Sequence, residues 1–376
     1  MDISELKIGI EGTFVPPFKA GIASIKQFEL LGFDSVWWFD HIMNWIPESI
    51  WTPDITKLAT LVNSPHDLYD AIINIAISAW NTKKIQLGTA VTEPFRRPPA
   101  TLAHTFLTLD HVSRGRVILG IGAGIAANIL PYGLEWKKPV SRYEEAIKII
   151  KLLWENDQKI DFNGKFWTLK DAVLSLKPYK KQNYPPIWMG AHGDKMLEMT
   201  GRLGDGWLPV IIDTNSYRKK LKIIRDSAKK VGRDPNEITP SLYALSILDE
   251  ESEECYKILK NPLIKNFALP KADEDFKPYG ANHPFGENFV GMRDFVPTRF
   301  DRDTVLNALN KVPLKMLEDI FIIGTPDEII SQIEEYAKLG LKHIILCNVT
   351  YLAELEKMKS SQDCMVKVLN YFKSQC

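Results

Sequence analysis

Lys7-Ile8-Gly9-Ile10-Glu11-Gly12-Thr13-Phe14 decides the fold. It opens as a short apolar strand, and an open dinucleotide-binding sheet would follow such a strand with Gly-x-Gly-x-x-Gly. Here the turn carries a carboxylate and one glycine instead. The same rhythm recurs downstream: strands at Ser35–Phe39, Ile85–Ala90, Arg116–Gly120, Ile187–Met189, Trp207–Val210, Ser241–Leu248 and His343–Asn348. Between them lie helical patterns at Ile22–Leu31, Pro99–His111, Ser141–Trp154, Lys195–Leu203, Ser216–Val231 and Ile329–Leu339. Strands alternating with helices imply parallel pairing through crossovers, and eight units suit a closed barrel. The sequence therefore predicts an α/β fold, a (β/α)8 TIM barrel with insertions at its C-terminal mouth.

The 376 residues are read as one barrel domain. Two stretches break the alternation. Residues 161–176, with Asn163-Gly164, predict a hairpin, and the proline- and glycine-rich span 250–311 predicts a lid or pocket wall at the mouth.

Composition narrows the function. Lys+Arg and Asp+Glu are equal at 47 each, which argues against a nucleic-acid or polybasic membrane surface and leaves small molecules as the expected partners. The longest apolar run, Ala71–Trp80, is too short to span a bilayer. Cys255, Cys347, Cys364 and Cys376 lack paired or zinc-ligand spacing and are read as reduced thiols, so a cytoplasmic protein with no metal site is expected.

Barrel chemistry gathers where strands end. The first strand ends in Glu11, whose apolar surroundings suit a carboxyl that exchanges protons near neutrality, or one that pairs with a basic barrel residue. The second ends in Asp40-His41, able to orient a ring, to form half of a metal site or to cap the strand, with the metal disfavoured because no second His or carboxylate stands at ligand spacing. The third leaves the barrel as Thr89-Ala90-Val91-Thr92, small enough for a flat ring to approach. The fourth ends in Gly122-Ala123-Gly124, with Asn128 just beyond, and the fifth in Gly190-Ala191-His192-Gly193 before a helix, a geometry suited to phosphate.

Taken together, Gly9-Ile10-Glu11, Asp40-His41, the Leu87–Pro99 segment LGTAVTEPFRRPP and Leu119–Gly124 resemble the bacterial luciferase-like superfamily, specifically its coenzyme F420-dependent branch. The resemblance covers nearly the whole chain. The Gly-Ile-Glu opening and Glu135-Trp136-Lys137-Lys138-Pro139-Val140 resemble methylenetetrahydromethanopterin reductases, while His283-Pro284-Phe285-Gly286 and Val312-Pro313 are similar to phthiodiolone dimycocerosate ketoreductases. F420-dependent glucose-6-phosphate dehydrogenases carry a glutamate where this chain has Ile125.

The resemblance implies an F420-dependent oxidoreductase moving hydride between the deazaflavin C5 and a carbonyl/alcohol or a methylenetetrahydromethanopterin-type carrier. It implies a ring held by Asp40, His41 and Thr89–Thr92, a non-proline cis peptide at Ala90–Val91, and a phosphate tail running toward Gly190–Gly193. With Ile125 in place of the acid, Glu11 and His41 become the catalytic candidates. The alternatives are an FMN-dependent monooxygenase and a barrel that binds cofactor without turnover. A homodimer is expected.

Overall fold

The computed structural model describes residues 5–13, 15–180 and 184–375. Eight parallel strands close into a barrel: β1 (Lys7–Glu11), β2 (Ser35–Trp38), β3 (Gln86–Thr89), β4 (Val117–Ile121), β5 (Ile187–Met189), β6 (Gly206–Trp207), β7 (Thr239–Leu248) and β8 (His343–Asn348). Closure comes from β8, which pairs with β7 on one side and with β1 on the other. Around them run α1 (Phe18–Leu31), α2 (Ala71–Asn81), α3 (Pro99–Ser113), α4 (Pro139–Glu155), α5 (Asp194–Leu203), α6 (Thr214–Lys230), α7 (Pro326–Lys338) and α8 (Met358–Ser374).

Side chains alternate across each strand, and the alternation sorts the core into two bodies. Val36, Trp38, Leu119, Ile121, Ile344 and Leu346 point outward and pack under the helices. Trp37, Ile118, Tyr243, Leu245, Ile345 and Cys347 point inward. The rings of Trp37 on β2 and Trp188 on β5 meet at 5.0 Å although their strands are not neighbours, so both fill the barrel interior. Their bulk requires small residues alongside: a Cβ on Gly88 would lie 2.4 Å from Trp37, and one on Gly206 2.5 Å from Trp188. His343, wholly buried, bonds Ser35 Oγ at 2.6 Å and completes this floor. Burial, with Lys7 and Lys373 nearby, lowers its pKa to about 3, so the ring is neutral.

Several boundaries differ from the sequence reading for local reasons. Helix α1 starts at Phe18, directly after the cis Pro16–Pro17 pair, rather than at Ile22. The run Ala71–Trp80 is a helix, begun by Asp70, whose Oδ1 accepts from Ile72 N and Ile73 N. The cap of α7 is the box its Thr-Pro-Asp-Glu announces, with Thr325 and Glu328 side chains each bonding the other's amide. Ile160–Asn163 and Thr168–Ala172 form the antiparallel hairpin, its turn amides at Lys165, Phe166 and Trp167 all donating to Glu145.

The span between β7 and α7 runs to Thr325, beyond the expected end at 311, and contributes a further short strand. Ile322–Gly324 pairs with Ser246–Leu248, extending the mouth end of β7. Its buried Leu263, Leu269, Phe276, Phe295 and Leu317 belong to the same apolar body as the barrel interior. This segment is thus built into the core.

Candidate active site

Barrel register gathers the strand-end residues at one rim. Glu11 pairs laterally with Trp37, Trp38 with Thr89, and Thr92 with Ile121. The peptide Ala90–Val91 is cis. Val91 packs against the next two turns, its methyls 2.8 Å from a Cβ built on Gly122 and 3.4 Å from one on Gly190.

Glu11 is recessed in the mouth and faces neutral partners. Tyr243 Oη donates to Oε1 at 2.5 Å and Cys347 Sγ to Oε2 at 3.3 Å. Among the described residues no lysine, arginine or histidine pairs with it, which removes the reading of Glu11 as half of an ion pair. Burial raises its pKa to about 7, against the pull of the Tyr243 and Cys347 bonds.

His41 lies between the tilted rings of Phe39 at 4.9 Å and Trp45 at 5.7 Å. Burial and the Arg96 guanidinium outweigh Asp40 and lower its pKa to about 3, so the imidazole is neutral. Neither ring nitrogen has a hydrogen-bond partner among the described residues.

Asp40 has its carboxylate fully engaged. Thr92 Oγ1 donates at 2.6 Å, Arg97 Nε at 3.0 Å, and Arg96 Nη2 stands 3.3 Å away. Burial pushes this carboxyl up, but the two guanidinium groups and Thr92 overcome it and hold it below the usual range. Asn128 is 1% exposed and equally committed: its Oδ1 accepts from Ile42 N and Met43 N, and its Nδ2 donates to Met43 O. Both residues shape the loop that carries His41. Thr89 is committed as well, its hydroxyl donating to Gly120 O at 2.6 Å.

On the far side of the rim, Gly190 N bonds Ile121 O and Ala191 O accepts from Trp207 Nε1. A Cβ on Gly193, ahead of α5, would meet nothing within 4 Å. Gly124 sits at φ +78°, in left-handed backbone that suits glycine. His192 is reached by solvent yet enclosed by protein, which, with Lys220 and Lys271 close by, disfavours its charged form.

A family model described as luciferase-like monooxygenase matches residues 7–343. The chain belongs to the luciferase-like monooxygenase family. Among relatives of this luciferase-like barrel is a phthiodiolone/phenolphthiodiolone dimycocerosates ketoreductase of Mycobacterium bovis, 34% identical over 340 residues that cover 89% of this chain and 88% of the relative. Two solved structures share the fold. One is an F420-dependent secondary alcohol dehydrogenase in complex with an F420-acetone adduct, with TM-score 0.74 and 22% identity, covering 96% of this chain and 99% of that one. The other is the coenzyme F420 dependent tetrahydromethanopterin reductase from Methanopyrus kandleri, with TM-score 0.72 and 21% identity, covering 98% and 99%.

Within this luciferase-like site, sequence reasoning missed Tyr243, Cys347, Arg96 and Arg97. The arginines carried a signal: two adjacent cations just after a strand must neutralise something, and Asp40 is buried at the end of the neighbouring strand. The ring of Trp45 also adjoins His41, and its buried Nε1 has no partner among the described residues.

Proposed function

We propose that this luciferase-like oxidoreductase binds coenzyme F420 at the barrel mouth and transfers hydride to or from a carbonyl/alcohol carbon or a methylenetetrahydromethanopterin-type carrier. When bound, the deazaflavin supplies the hydride acceptor and donor at C5; the protein contributes orientation and a proton. The observation that carries this reading is a carboxyl poised near neutrality, Glu11, recessed in the mouth that also carries the neutral His41, whose nitrogens have no hydrogen-bond partner among the described residues. The residues fit a flat ring with an anionic tail. Gly122 and Gly124 give their space to Val91 and Ile129 and so let the Ala90–Val91 turn lie close to the next strand end, while open Gly193 heads a helix near Lys220 and Lys271.

Glu11 would hold the exchanging proton, and His41 would hydrogen-bond the ring or substrate without changing charge. Similarity to a relative named as a ketoreductase favours a carbonyl among the substrate classes. Titration of the purified protein, followed by fluorescence, should give micromolar or tighter F420 affinity and at least about tenfold weaker FMN affinity, a gap of about 1.4 kcal/mol. Equal or reversed affinities would put the FMN monooxygenase reading first.

The functional unit is proposed to be a homodimer. Helix α2 buries Ile72, Asn74, Ile75 and Ser78 on one side, while on the other Ile73 and Trp80 stand 52% and 81% exposed. No charged residue lies on α2, and the outward side of adjacent α3 offers Thr101, His104 and Thr108. A second copy of the chain suits this uncharged face. No helix of the described residues is long and apolar enough to cross a membrane. Cys255, Cys347 and Cys364 are free and buried, which supports a reducing, cytoplasmic setting; Cys376 lies outside the described residues.

A further inference from the structure

Three inward-facing positions converge where β1, β7 and β8 reach the mouth. Pairing of Ile10 with Leu346 places Glu11 beside Cys347 on the neighbouring strand, and pairing of Tyr243 with Ile345 sets Tyr243 one strand further on. The tyrosine is long enough to cross that distance and close on Glu11 Oε1, while the thiol closes on Oε2. Tyr351, from the short helix Thr350–Ala353, is a further titratable group near the carboxyl. Among the described residues each carboxyl oxygen therefore has one neutral donor, and no cation completes the set.

We infer that Tyr243 and Cys347 are positioning residues that fix the Glu11 carboxyl in one orientation and set how tightly it keeps its proton, Tyr243 being the stronger of the two. The inference rests on the proposed role of Glu11 in hydride transfer. A hydrogen bond donated to a carboxylate stabilises the charged form, and burial opposes it. With no cation present, these two bonds are the main counterweight to burial. An arginine in their place would lock the group as an anion and end its exchange of protons. Tyrosine and cysteine avoid this because burial and the adjacent carboxylate keep both protonated, the tyrosine hydroxyl and the thiol lying well above their usual ranges. Tyr351 is held neutral in the same way. Glu11 is then the one member of the cluster that titrates in the neutral range.

The test is infrared titration of the full-length protein without cofactor, following the carboxylic C=O band that Glu11→Gln removes. Tyr243→Phe should move the midpoint upward by about one pH unit or more, since it deletes a bond to the anion. Cys347→Ser, a stronger donor of similar size, should move it downward, and Cys347→Ala slightly upward. The alkaline limb of kcat/KM against pH should shift with the same signs. A folded Tyr243→Phe protein with an unmoved midpoint overturns the inference; if that variant does not fold, an unmoved midpoint in Cys347→Ser does so. The two readings separate cleanly. Shifted bands together with normal turnover in Glu11→Gln would keep the positioning and remove the catalytic role, whereas unmoved bands with turnover lost in Glu11→Gln would do the reverse.

Discussion

Arg97 Nε donates to Asp40 Oδ2 at 3.0 Å while its Nη2 reaches Asp70 Oδ2 at 2.5 Å, so one guanidinium fastens the end of β2 to the head of α2. Asp40→Ala leaves Arg96 and Arg97 without their buried carboxylate and should lower stability by about 3 kcal/mol or more, read from urea unfolding. Affinity for F420 should fall with it, because the loop bearing His41 loses its anchor. Lost affinity at full stability would instead place the Asp40 carboxylate directly on the cofactor.

Glu11→Gln should leave F420 affinity largely intact and reduce turnover roughly 10²-fold, the scale of losing a general acid. Deazaflavin absorbance during steady-state turnover measures it. Near-normal rates would shift attention to His41 or His192.

The same variant has a pH signature in stability. Folding raises the Glu11 pKa from 4.5 to about 7, so the protonated carboxyl favours the folded state. That contribution is complete below the unfolded value and is lost as pH rises through the folded one. Wild type and Glu11→Gln should therefore match near pH 4 and diverge by pH 8, with Gln the more stable by about 3 kcal/mol. Parallel curves across this range would show the carboxyl to be ordinary.

Trp80→Glu combined with Ile73→Glu should convert the dimer to a monomer in sedimentation without altering the fold. A monomeric wild type would dispose of the dimer outright, and a dimeric double variant would move the interface elsewhere.

The segment between β7 and α7 should not be removable. Phe276 is fully buried in the apolar body shared with the barrel interior, so Phe276→Ala should cost about 3–5 kcal/mol. Deleting Leu269–Phe289 should unfold the protein, as circular dichroism would report; a folded deletion product would make the segment a detachable lid.

The barrel was legible because alternation along strands and glycine after α1 and α7 are local signals. Helix α2 was not read as a helix, since apolar residues on both its sides erase the amphipathic period. Ile322–Gly324 is too short to announce itself. In the site, strand ends pointed to Glu11 and Asp40-His41, but their partners were out of reach of any local pattern. Tyr243 lies 232 positions from Glu11 and Cys347 lies 336 away, so only barrel closure makes them neighbours. Asn128 was picked for its place after the glycines, whereas its amide serves the loop at Ile42–Met43, 85 and 86 positions back.

The interlocked Trp37, Trp188 and His343 make the lower barrel a solid stopper rather than a channel. Traffic has a single doorway. Whatever settles first and deepest at the mouth is trapped until whatever follows it has left, so exchange obeys last in, first out. A cofactor seated beneath its substrate would then survive many passages of substrate above it, and steady-state kinetics would show ordered rather than random departure.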